Sequence, residues 1–134
     1  RFRRSVRRSR LSVEPDGAIA LHLSTSARWL AVHAARTRVI AARDVVGMWR
    51  SDSRSVGRRL RWKIAGTALS RQRAMGWFSW IGHRGRWAWI WLTPGRQVVV
   101  VETRLRRPAL LVVPLDWLES SQGEGIHLEP WNVC

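Results

Sequence analysis

Apolar and polar residues alternate at short intervals along most of the chain, with the period of strands rather than helices. Leu11 and Val13 before Pro15-Asp16-Gly17, and Ile19, Leu21 and Leu23 after it, predict a hairpin that starts at Arg10. Ser24-Thr25-Ser26 suits a helix cap, while Arg28 to His33 suits a strand equally well; strand is the reading taken. Val39-Ile40 and Val45-Val46 predict two more short strands, the second running to Arg50, and the polar stretch 51–59 predicts a loop. From Gly76 the runs Trp77 to Ile81, Trp87 to Leu92 and Val98 to Glu102 are separated by turn residues. Among these, Thr93-Pro94-Gly95-Arg96 has proline and glycine at the second and third places of a type II turn. A β-meander is expected. Val98 to Val101 is apolar on both faces, as a doubly covered central strand would be. A fourth run, Ala109 to Val113, follows the Arg104-Leu105-Arg106-Arg107 turn, and Leu115 to Glu119 has the apolar spacing of a short C-terminal helix.

Charge divides this pattern into three parts. Residues 1–10 hold six arginines (Arg1, Arg3, Arg4, Arg7, Arg8 and Arg10) and read as a flexible basic arm; 11–122 form one domain, and 123–134 an acidic tail. All 24 Lys and Arg lie in the first 107 residues with five of the nine acids; the remainder carries only Asp116, Glu119, Glu124 and Glu129. That polarity predicts a C-terminal segment that packs on, or competes for, a basic face of its own domain. The net charge of +15, nearly all arginine, draws polyanions, whether an anionic membrane or nucleic acid. Cys134 is the only cysteine, so no intrachain disulfide forms. The densest apolar stretch, Trp77 to Leu92, is broken by His83, Arg84, Gly85 and Arg86 and falls short of the roughly 20 residues of a spanning helix. The chain starts at Arg1 rather than methionine, which leaves room for an anchor upstream.

Several short motifs carry a resemblance: Gly57-Arg58-Arg59-Leu60-Arg61-Trp62-Lys63-Ile64-Ala65-Gly66-Thr67, Gly76-Trp77-Phe78, Gly82-His83-Arg84-Gly85-Arg86-Trp87, Val99-Val100-Val101-Glu102-Thr103 and Pro114-Leu115-Asp116-Trp117-Leu118. Over about residues 44–119 the chain resembles bacterial, mainly actinobacterial, PH-like domain proteins of uncharacterised function. The resemblance implies a mostly β fold: a bent antiparallel β-sandwich or partly open barrel whose open end is plugged by one short C-terminal helix. PH domains that bind inositol lipids do so with basic residues around the first hairpin. Here that hairpin carries Glu14-Pro15-Asp16-Gly17, so the inositol-lipid role does not carry over.

The residues nominate no catalytic or metal-binding constellation. His22, His33, His83 and His127 are scattered without metal-ligand spacing, and Gly82 and Gly85 lack the following Lys-Ser or Lys-Thr of a phosphate loop. No cofactor is expected. Trp87, Trp89 and Trp91 alternate, so they share one face of a strand, either as a wall of the core or, with Trp77 and Trp80, as an exposed aromatic patch. Arg54, Arg58, Arg59, Arg61 and Lys63 form an internal basic cluster that Arg84 and Arg86 would reinforce. The expectation is therefore a non-catalytic interaction module at the cytoplasmic face of a bacterial membrane. Its partners would be a protein and the anionic lipid surface, with nucleic acid as the alternative ligand for the same arginines.

Overall fold

The computed structural model describes residues 9–24, 37–70, 72–80, 85–120 and 128–131. The predicted strand over 28–33 lies outside them, as do residues 1–8. The first hairpin forms as expected: β1 (Arg10–Val13) pairs antiparallel with β2 (Ile19–His22). Its turn is fixed by the Asp16 carboxylate, which accepts from the Ala18 N–H at 3.0 Å, and by Gly17, whose φ of 94° suits glycine. β3 (Thr37–Ile40) adds to β2, and β10 (Leu118–Ser120) adds to β1, giving a four-stranded sheet in the order β10-β1-β2-β3.

The second sheet has seven strands in the order β11-β4-β8-β9-β7-β6-β5. These are β4 (Val45–Asp52), β5 (Leu60–Ser70), β6 (Arg73–Trp80), β7 (Trp87–Leu92), β8 (Gln97–Thr103), β9 (Leu110–Pro114) and β11 (Glu129–Pro130). The expected meander is only half realised. β6 and β7 are antiparallel neighbours, but β9 enters between β7 and β8, parallel to the first and antiparallel to the second. The reason is hydrophobic. Every residue of β9 is buried, so it takes the central slot where both faces are covered, while the Pro94-Gly95 turn, with Gly95 at φ 73°, carries the chain past it. Val98 to Val101 of β8 are each 0% exposed, as their two-faced apolar run predicts.

Three further expectations are corrected. Both sheets are mixed rather than wholly antiparallel, because β10 joins β1, β11 joins β4 and β9 joins β7 in parallel. The segment expected as a C-terminal helix is a single 3₁₀ turn, Leu115–Trp117, that runs straight into β10. Its apolar spacing comes from one turn followed by a strand, with Leu115, Trp117 and Leu118 packed on the core. The α-helix among the described residues is Ser53–Gly57, in the stretch read as loop. It exists because Asp52 caps it and Val56, 2% exposed, anchors it. The eleven-residue β5 follows it; Leu60-Arg61-Trp62-Lys63-Ile64 alternates apolar and charged residues as a strand does, a signal the sequence reading missed, and three register shifts interrupt its pairing with β6.

The result is a β-sandwich with two apolar layers. Between the sheets lie Leu11, Ile19, Leu21, Ile40, Trp89, Val99, Val101, Leu111 and Val113. On the far face of the larger sheet, Ile90, Leu92, Val98, Val100, Leu110 and Val112 are covered in part by Val56, Phe78, Leu60 and Trp131. The C-terminal segment is part of the fold: Leu128, 7% exposed, enters the first layer, and the Arg50 Nε donates to its carbonyl at 3.4 Å.

One close approach carries a testable consequence. On β4 the Trp49 indole lies across Gly47, and a Cβ built there would come within 2.2 Å of the ring. Gly47→Ala is therefore expected to displace Trp49 and to cost about 1–3 kcal/mol, measured by urea denaturation with m unchanged.

Candidate anion-binding surface

The structure disperses the arginines grouped by sequence. Arg10 belongs to β1 rather than to a free arm, and its Nε lies 3.7 Å from the Glu119 carboxylate. Arg54 and Arg58 are exposed on the short helix and its C-cap, Lys63 is exposed on β5, and Arg61 lies on the same strand. Arg59 is half-buried, its guanidinium 5.8 Å above the Trp131 ring. Arg86 does not join this cluster, because its guanidinium donates to the carbonyls of Thr103 at 3.0 Å and Leu105 at 3.2 Å. Arg1, Arg3, Arg4, Arg7, Arg8 and Arg84 lie outside the described residues.

The tryptophans divide as well. Trp89 is 0% exposed in the core, and Trp91 packs against Trp117 with ring centroids 5.5 Å apart. Both are wall residues. Trp80 lies on β6, opposite Leu60. Trp77 and Trp87 are half-buried and meet edge to face at 6.1 Å, on the face of the large sheet that looks toward the small one.

A cation caps each end of this tryptophan pair. Arg38 sits on β3 in register with the core residues Leu21 and, one strand further, Leu11, so its side chain leaves the inner face of the small sheet at the edge. Its guanidinium lies 5.7 Å from the Trp77 centroid. Arg107 lies over Trp87 at 3.8 Å, a close cation–π contact. The order Arg38, Trp77, Trp87, Arg107 thus runs across the mouth of the sandwich, beyond the edge of the four-stranded sheet.

The loop that supplies Arg107 is tightly held. Trp87 donates its N–H to the Arg106 carbonyl at 2.9 Å and accepts from the Ala109 N–H at 2.7 Å, so loop and ring position are fixed together. Thr103, 1% exposed, donates its hydroxyl to the Pro108 carbonyl at 2.6 Å and accepts from the Leu105 N–H at 3.0 Å. Arg104 ties the other side, its Nε donating to the Arg43 carbonyl at 3.1 Å and its N–H to the Asp44 carbonyl at 2.8 Å. Arg43, Arg104, Arg106 and Arg107 are all exposed. Among the described residues, no hydrogen bond or ion pair engages the guanidinium of Arg106 or Arg107.

Acidic groups are drawn elsewhere. Asp116 lies 3.8 Å from Arg96, and Glu119 lies 3.7 Å from Arg10. Arg96 and Asp116 are well exposed and Arg10 is half-buried against an exposed Glu119, so both pairs contribute little to stability. Burial, then the nearby Arg10 charge, holds His22 below the ordinary imidazole range, so it stays neutral at physiological pH. Among the described residues no cluster of three or more His, Cys, Asp or Glu is placed to hold a metal ion, and no helix is long and apolar enough to cross a membrane.

Sequence reading missed Arg38, Arg104, Arg106 and Arg107 as site residues. Two signals were present. Arg38 occupies a core-phase position of a strand, where a charge needs a reason, and the 104–107 turn places three arginines between the valine run of β8 and the wholly apolar β9.

Two outcomes follow. Thr103→Val leaves the Leu105 N–H and the Pro108 carbonyl without this partner, so it is expected to cost about 1–3 kcal/mol and to speed amide exchange at Leu105, read by hydrogen-exchange NMR. The Asp52 carboxylate accepts from the Ser55 N–H at 2.8 Å, and this bond, the largest cause, holds its carboxyl below the ordinary carboxylate range. Its contribution is present above the unfolded-state pKa and lost as pH falls through the lowered folded-state value. Asp52→Ala is expected to cost about 1 kcal/mol at neutral pH, with the difference from wild type vanishing in acid-titrated denaturation curves.

Compared with protein-family models, curated proteins and solved structures, the chain matches none.

Proposed function

We propose that this chain is a non-catalytic interaction module that docks on an anionic membrane surface at the cytoplasmic face of a bacterial cell and presents its sandwich to a protein partner there. The observation that carries the reading is the 104–107 loop, a backbone-pinned turn whose exposed Arg106 and Arg107 have their charge uncompensated among the described residues. The pinned backbone and the Trp87 contact spare Arg107 part of the entropy lost on meeting phosphate oxygens, and the planar guanidinium forks match that geometry. The arginines at positions 1, 3, 4, 7, 8 and 10 supplement the loop, since basic residues near anionic lipid gain about 1 kcal/mol each. The kinship with bacterial PH-like domains belongs to the same proposal. It draws on the motif runs in the sequence and on the β-sandwich layout, while the parallel pairings set this chain's topology apart from an all-antiparallel one.

The aromatic geometry favours lipid over single-stranded nucleic acid. A base-stacking platform needs open ring faces, whereas Trp77 and Trp87 each carry a guanidinium on one face and also pack against each other.

Co-sedimentation of the full chain with anionic and with neutral vesicles at physiological salt tests this. Retention on anionic vesicles alone, reduced several-fold when the six arginines of residues 1–10 become Ala and resistant to excess DNA, is the expected result. Release by DNA at low stoichiometry would transfer the reading to nucleic acid.

A further inference from the structure

The arginine–tryptophan ladder has a specific use that the charge count does not describe. Cation–π contact engages the flat face of a guanidinium, while its N–H donors all lie in the plane and point outward from the rim. Arg107, stacked 3.8 Å above Trp87, is therefore held in orientation without spending its donors. Arg106 lies beside it on a loop fixed by the two backbone bonds to Trp87. At the other end, Arg38 lies over Trp77. Apolar and cationic groups thus lie together at one edge of the sandwich.

That combination matches the composition of a lipid–water interface. Indole rings favour the headgroup level, and arginine pairs there with phosphate oxygens while its stem and its stacked face stay in apolar contact. From these observations we infer that the Arg38, Trp77, Trp87, Arg107 ladder, with Arg106, is a headgroup site for anionic phospholipid, in which Arg106 and Arg107 grip the phosphate ester and the two indoles lie at the interface. The site deepens the membrane-surface reading and rests on it. It adds a defined position on the folded domain that works alongside the arginines of residues 1–10, and it assigns the docking face to the edge of the sandwich between β3 and β6.

The ten tryptophans supply the readout, because each indole N–H gives its own cross-peak in a ¹H–¹⁵N spectrum. The full chain is titrated with dihexanoyl phosphatidylglycerol, with dihexanoyl phosphatidylcholine and with a single-stranded oligonucleotide, the Trp77 and Trp87 signals being assigned from Trp77→Phe and Trp87→Phe. Phosphatidylglycerol is expected to shift these two signals, phosphatidylcholine to leave them in place, and Arg106→Ala/Arg107→Ala to weaken the apparent affinity about tenfold or more while the lost cation–π contact lowers Tm by only a few degrees. Arg107→Lys keeps the charge but loses the planar stack, so it is expected to recover only part of the affinity. Equal shifts with both lipids, an unchanged affinity in the double variant, or tighter engagement by the oligonucleotide would each overturn the assignment. Retention of the full chain on anionic vesicles with unmoved indole signals would overturn the ladder site while leaving the membrane reading intact. Loss of vesicle retention itself would remove that reading and the ladder site with it.

Discussion

Burial of both faces of three adjacent strands governs this fold. Every position of β9 is buried, as are Val98 to Val101 of β8 and Ala88, Trp89, Ile90 and Leu92 of β7. A strand with apolar side chains on both faces has to lie between two other layers. One layer is the four-stranded sheet, whose Leu11, Ile19, Leu21 and Ile40 press on the near face. On the far face lies the capped helix with Val56, and the sheet's own Phe78 and Leu60, with Trp131, complete the cluster there. Which strand occupies the centre is decided by this demand rather than by chain order, so β7 and β8, although joined by a tight turn, stand apart with β9 between them.

The same constraint places the polar chemistry at the margins. Arginines interleaved with so apolar a core are left at edges, turns and loop tips, where each finds a different use. Arg86 satisfies loop carbonyls, Arg50 holds Leu128, Arg10 and Arg96 pair with acids, and Arg38 and Arg107 lie over tryptophan rings. A single composition therefore serves both structure and surface. Arg54, Arg58 and Lys63 remain exposed, and so do Arg106 and Arg107, which stand next to ordered aromatic rings.

How much of this was legible in the sequence follows from which forces are local. The first hairpin was readable because Pro15-Asp16-Gly17 states its own turn, and Thr93-Pro94-Gly95-Arg96 stated a second one. The two-sided burial of Val98 to Val101 was readable from four consecutive valines. Strand order was not, because the insertion of β9 depends on a competition among several apolar strands that no window of sequence displays. The 3₁₀ turn at Leu115–Trp117 passed for a helix because one turn and a following strand mimic helical spacing. The basic cluster was visible as composition, but its partition into carbonyl-binding, ring-stacking and exposed members depends on partners far away in the chain. Arg38 meets Trp77, and Arg107 meets Trp87, only across a completed sandwich.

The position of the late strands also bears on how the molecule is made. β9 lies between two strands synthesised before it, β10 completes a sheet begun at β1, and β11 pairs with β4. Until β9 is present, β7 and β8 lack the strand that joins them in the finished sheet, and their two-faced apolar runs lack its cover. Such pairings across long sequence separations are slow to form, and the unfinished sheet is prone to aggregate. Closure of the sandwich therefore waits on the strands from Leu110 onward, and the apolar runs of β7 and β8 are the surfaces open to a strand of another chain until those strands have emerged.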